Sequence, residues 1–140
     1  MQTKINVGQR QELVLESQPT VIHQVETLIE DYRNELQFKD DVFGNVMIAV
    51  TEAVNNAIQH GNKNDIQKKV HLYFELLQPY QLNVGVKDEG EGFDYEHLAD
   101  PTSPENIDKP GGRGIFLMQH LTESMQFNHQ GREVVMTFYI

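Results

Sequence analysis

The chain has 140 residues, which fits one domain built around a single core. Its 21 acidic and 11 basic residues give a formal charge of −10, which argues against general affinity for nucleic acid phosphates or an anionic membrane and makes a basic patch on a protein partner the easier match. The absence of cysteine removes disulfides, thiolate metal sites and cysteine nucleophiles, and suits a reducing compartment.

The opening MQTKINVGQR has no apolar signal core, and the longest aliphatic run, VMIAV, is far short of the ~20 residues of a membrane span, so a soluble, cytoplasmic protein is expected. ELVLES sets Leu13 and Leu15 against Glu12, Val14 and Glu16, the period of a half-buried strand. Apolar residues then recur at spacings of three and four from Val21 to Leu36, predicting an amphipathic helix over 20–36 with Ser17 or Thr20 as its cap. A second helix, capped by Asp40 or Asp41 and ended by Gly61, carries Val42, Val46, Val50, Ala53, Val54, Ala57 and Ile58; it is apolar nearly all round and should be central. From Lys69 the period becomes two, and VHLYFELL and QLNVGVKD read as an antiparallel hairpin around Gln78, Pro79 and Tyr80.

The loop DEGEGFD follows, then YEHLAD as a short helical turn. PTSPENIDKPGG, with three prolines and few apolar residues, reads as a long exposed loop of the kind that serves as a lid. Gly112 to Met125 is expected as a third helix, with Ile115, Phe116, Met118 and Leu121 on its apolar face, and a last hairpin turns at NHQG into EVVMTFYI. The order β-α-α-β-β-α-β-β means α+β, most simply helices layered on one face of the sheet.

Three stretches carry chemistry. On the second helix Asn45, Ala49, Glu52, Asn56 and His60 fall on one strip, so a helix with an apolar core face also holds a polar seam. A lone Glu or Asn is most simply a solvated residue; together, Asn56 can offer a neutral oxygen to a hard cation while Glu52 accepts a proton. In DEGEGFD, Asp88 at a strand end can present an acceptor into a cleft, and Gly90 and Gly92 permit close backbone approach, although an acidic surface turn has the same composition. An EF-hand frame fails at Phe93 and Ala99, and a dinucleotide fingerprint fails at Tyr95. PGGRGIF places Gly112 and Gly114 at a helix start where free N–H groups favour an anion, and Arg113 can grip a phosphate. GxxxxGK is absent, which excludes a P-loop, and the six histidines show neither HExxH nor HxxxH spacing.

In order, TEAVNNAIQHGN, DEGEGFD and GGRGIFLM resemble the N, G1 and G2 boxes of the GHKL ATP-binding superfamily, in the form carried by the small anti-sigma-factor serine/threonine-protein kinases. The resemblance spans nearly the whole chain. It implies the Bergerat fold, a two-layer α/β sandwich with a mixed, mainly antiparallel sheet and helices on one face, as one ATP-binding kinase domain over residues 1–140. It further implies that Asn56 holds the Mg²⁺ bridging the ATP phosphates, that Glu52 is the general base, and that Asp88 accepts a hydrogen bond from the adenine amino group. Gly90 and Gly92 would shape the pocket, residues 100–110 would be the lid, and Gly112, Arg113 and Gly114 would cradle the β- and γ-phosphates. The family usually places a threonine after the glycine of the last hairpin, where it helps to hold adenine through water; here Gly131 is followed by Arg132 and Glu133.

The implied function is that of a homodimeric anti-sigma factor that binds a sigma factor and phosphorylates a STAS-type anti-sigma-factor antagonist at the expense of ATP. The alternative is a nucleotide-gated binding module that transfers no phosphate.

Overall fold

The computed structural model describes residues 4–78, 80–93 and 112–140. Alternation at Leu13 and Leu15 builds β1 (Arg10–Glu16), with Leu15 buried and Glu12, Val14 and Glu16 exposed. Helix α1 (Val21–Leu36) follows, burying Val21, Val25, Leu28, Ile29 and Tyr32. Helix α2 (Asp40–Asn56) buries Val46, Ala49, Val50, Ala53 and Val54, then widens into a single π-helical turn, Ala57–Gly61. The hairpin β2 (Lys69–Gln78) and β3 (Gln81–Lys87) precedes α3 (Gly112–Leu121), and β4 (Ser124–Asn128) and β5 (Glu133–Tyr139) close the order.

The strands form one sheet in the order β1-β2-β3-β5-β4, and every pairing is antiparallel. The architecture is α+β as expected, without a parallel pair among the described residues. α2 packs between α1 and α3 and onto β3 and β5, which makes it central. Val46, Val50 and Val54 are completely buried, and each such side chain contributes about 1.5–3 kcal/mol relative to exposure, so α2 is anchored without help from its polar seam. The helices cover one face of the sheet. On the other face, Tyr73 lies across Gly85, where any Cβ would overlap its ring, and the Arg10 guanidinium sits 3.9 Å above that ring.

Several local expectations are corrected. Neither Ser17 nor Thr20 caps α1: Thr20 occupies the N-cap without a side-chain bond, while Ser17 is buried, donates to the Lys68 carbonyl and accepts from Asn62 Nδ2 at 2.9 Å. Lys39, not an aspartate, is the N-cap of α2; Asp40 and Asp41 lie in its first turn, where the helix dipole still favours them, and Asp40 pairs with Arg33 at 3.0 Å. α3 stops at Leu121 rather than Met125. Met125 continues the helical spacing from Leu121 but also sits two residues before Phe127, and pairing with Met136 takes it into β4. Phe116, expected on the apolar face, is exposed and packs its ring on His120, with centroids 4.3 Å apart. The expected helical turn at YEHLAD and the lid at residues 100–110 lie outside the described residues.

No helix among the described residues is long and apolar enough to cross a membrane.

Candidate functional site

The seam predicted on α2 meets α3. Gly114 is buried in the first turn of α3, and a Cβ placed on it would lie 2.8 Å from Glu52 Oε2 and 2.9 Å from Asn56 Nδ2. Only glycine lets the start of α3 approach both side chains. The Asn56 Nδ2 is buried and has no hydrogen-bond partner among the described residues. A buried amide N–H left in that state costs free energy unless a group outside the described residues satisfies it. Gly112 opens α3, and Arg113 is exposed on the same turn.

Replacing Gly114 with Ala should test this contact. Ala is favoured over Gly in a helix and the groups in the way are flexible side-chain ends, so the melting temperature is expected to stay near the parental value. If the site performs the phosphoryl transfer that the resemblance implies, displacing Glu52 and Asn56 together should lower it by about 10²-fold, the size of effect that misplacement by ~1 Å produces. Parental transfer by Gly114→Ala would contradict the contact's role.

Beside this pair, a cavity of about 200 Å³ opens between the helix layer and the sheet, the size of one heterocyclic ring system. Ala53 and Ala57, Ile115 and Met118, and Val86 and Val134 supply its apolar walls. Asn56, His60, Asp88 and Arg132 supply its polar groups.

Asp88 is the first residue beyond β3. Its N–H donates to the Arg132 carbonyl at 2.9 Å, and its Oδ1 accepts from the Gly90 N–H at 2.8 Å. Burial pushes its carboxyl above the ordinary value of 3.8; the Gly90 N–H and the charges of Arg132 and Lys68 pull part of the way back. Gly90 and Gly92 do what their spacing predicted: a Cβ on Gly90 would overlap the Gly61 carbonyl, and Gly92, at φ 83°, abuts the Gln130 carbonyl.

Two further residues complete the site, Asn62, which sequence reasoning did not single out, and Arg132, which it noted only as a departure from the family's threonine. Asn62 is fully buried, donates to Ser17 Oγ and to the Lys69 carbonyl at 3.0 Å, and accepts from the Glu89 N–H at 2.8 Å, so it ties the end of the π-turn to β2 and to the Asp88 loop. After His60-Gly61 an asparagine reads as an ordinary turn residue, and the sequence holds no further signal. Arg132 donates from Nε to the Gly90 carbonyl at 2.8 Å, with an Nη2 3.5 Å from the Glu91 carbonyl. Its signal was the missing threonine, which marked the position but not this contact.

The family profile described as a histidine kinase-like ATPase domain matches residues 15–138. The chain belongs to the histidine kinase-like ATPase family. The serine-protein kinase RsbW of Bacillus subtilis (strain 168) is 30% identical over 136 residues, which cover 92% of this chain and 84% of that protein. The serine-protein kinase RsbW of Staphylococcus aureus (strain JH9) is 37% identical over 101 residues, 66% of this chain and 63% of that protein. A crystal structure of the RsbU and RsbW domains of Rv1364c from Mycobacterium tuberculosis is similar with a TM-score of 0.67 and 14% identity, covering 94% of this chain and 32% of that one; at this identity the likeness concerns the fold. Within its family the chain stands with the serine-protein kinases, an ATP-using group of enzymes.

Proposed function

We propose that residues 1–140 work as one ATP-binding kinase unit and anti-sigma factor, which phosphorylates a serine of a STAS-type antagonist, sequesters a sigma factor and acts as a homodimer. The observation that carries this reading is the approach of Gly114 to both Glu52 and Asn56, which brings the start of α3 against a proton acceptor and an amide whose buried Nδ2 has no hydrogen-bond partner among the described residues. The site fits Mg-ATP. Asn56 offers an amide oxygen to the cation, the cavity at Asp88 has room for a purine ring, and the first turn of α3 offers N–H groups to phosphate oxygens.

In this reading Asp88 accepts from the adenine amino group, Gly90 and Gly92 hold the loop around the base, and Gly112, Arg113 and Gly114 face the phosphates. Mg-ATP supplies the transferable phosphoryl group and the charge neutralisation that such transfer requires. Glu52 takes the proton from the acceptor serine hydroxyl and holds it on its carboxylate. The intact Glu52–Asn56 pair favours transfer over a module that binds nucleotide without reacting. The net charge of −10 suits a sigma factor or antagonist that presents a basic surface.

Asn56→Ala tests the proposal. The variant should remain folded, because the buried valines and alanines of α2 are untouched, and should lose Mg²⁺-dependent ATP affinity by calorimetry. Binding of Mg-ATP as tight as the parent's would remove Asn56 from the metal site.

A further inference from the structure

The loop that carries Asp88 is held in its first half by the Glu89 N–H on Asn62 Oδ1, the Lys69 N–H on the Glu89 carboxylate and the Gly90 N–H on Asp88 Oδ1, which leaves the stretch from the Gly90 carbonyl to Gly92 to be positioned from elsewhere. Between Asp88 and Phe93 it runs Glu89, Gly90, Glu91, Gly92; the glycines have no side chain to pack, and Glu89 and Glu91 are exposed. Its backbone is stitched to the last hairpin at its ends, where the Asp88 N–H donates to the Arg132 carbonyl at 2.9 Å and the Phe93 N–H to the Gln130 carbonyl at 3.0 Å. Between those stitches, the Arg132 guanidinium spans the gap to the Gly90 carbonyl at 2.8 Å and also approaches the Glu91 carbonyl. Arg132 belongs to the short link between the His129–Gly131 turn and β5, so its backbone is held by the sheet while its side chain reaches the loop. Ordering a free residue costs about 1–2 kcal/mol, and glycine loses the most. A pocket whose wall must be ordered by its ligand binds weakly, whereas one ordered in advance does not bear that cost at binding.

We infer that Arg132 is a positioning residue that holds Gly90 and Glu91 in their base-binding shape, and so sets affinity for the nucleoside part of ATP rather than for its phosphates. The inference rests on the reading of the Asp88 cavity as the base pocket. The charged fork, with Nε and Nη2 turned toward consecutive carbonyls, is specific to arginine; lysine keeps the charge but not the fork.

The test is calorimetric titration of the intact protein, as parent, Arg132→Ala and Arg132→Lys, with adenosine and with Mg-ATP. Hydrogen exchange of the loop amides is followed in the absence of ligand. Arg132→Ala is expected to weaken adenosine and Mg-ATP by the same factor, about tenfold, the loss of one charge-assisted hydrogen bond. Exchange at Glu91 and Gly92 should speed up, the melting temperature should stay near the parent's, and Arg132→Lys should recover only part of the affinity. Unchanged adenosine affinity in Arg132→Ala would overturn the inference, as would a loss confined to Mg-ATP, which would make Arg132 a phosphate ligand. A large fall in melting temperature with full rescue by lysine would also overturn it, by making the role one of charge and stability. If the parent binds Mg-ATP but no variant alters adenosine binding, only Arg132 loses its role; if the parent binds neither ligand, the base-pocket reading itself falls.

Discussion

Replacing Glu52 with Gln is expected to lower phosphoryl transfer by about 10²–10⁴-fold while leaving Mg-ATP affinity and partner binding at parental levels. Glutamine has the shape of glutamate and fits the same space beside Gly114, but it cannot take a proton from an attacking hydroxyl. Glu52 lies one helical turn from Asn56, so the metal-binding role assigned to the amide does not depend on it. The measurement is incubation of parent and variant with Mg-ATP and the antagonist identified by co-purification from the native cell, with phosphoserine read by mass spectrometry. Transfer by the variant at the parental rate would take the base role from Glu52. Absence of transfer by the parent to a verified partner would replace the kinase proposal with the nucleotide-gated module.

Asp88→Asn is expected to separate stability from binding. Burial raises the Asp88 carboxyl above 3.8, more than the Gly90 N–H, Arg132 and Lys68 lower it. A group with a raised folded value stabilises fully below its unfolded value and loses that contribution as pH rises through the folded value, so at neutral pH the ionised carboxylate is a net cost to the ligand-free protein. Asparagine has the same outline, keeps an oxygen for the Gly90 N–H and carries no charge to desolvate. The ligand-free variant should therefore melt at or above the parental temperature at neutral pH, with the advantage shrinking as pH falls toward 3.8. Adenosine affinity should nevertheless drop by about 10- to 150-fold, because a hydrogen bond to a charged acceptor is lost. Thermal melts across pH together with calorimetry decide it; a variant less stable at neutral pH, or one that binds adenosine normally, would contradict the assignment.

What could be read before the structure follows from the range of the interactions. The apolar stripe of α2 and the seam beside it are set by residues three and four apart, and both are found where the spacing placed them. Gly90 and Gly92 were legible because close approach leaves a mark on residue type itself. Ser17 misled because a serine before a helix reads as a cap, whereas its real partners, Asn62 and Lys68, lie 45 and 51 residues further along, between the π-turn and β2. Met125 satisfied both the helical and the strand period, and only pairing with Met136 settled it. The reach of Arg132 was not legible, because it depends on β3 and β5 pairing so that Lys87 lies opposite Glu133 and the loop after β3 meets the turn before β5.

The most direct measurement is a crystal structure of the protein with Mg²⁺ and a non-hydrolysable ATP analogue. The adenine amino group should lie within hydrogen-bond distance of the Asp88 carboxylate, the cation on the Asn56 side-chain oxygen, and the phosphates at the first turn of α3 beside Gly114. A nucleotide bound elsewhere on the chain, or in this cavity with its base away from Asp88 and its metal away from Asn56, would contradict the site proposed for this kinase.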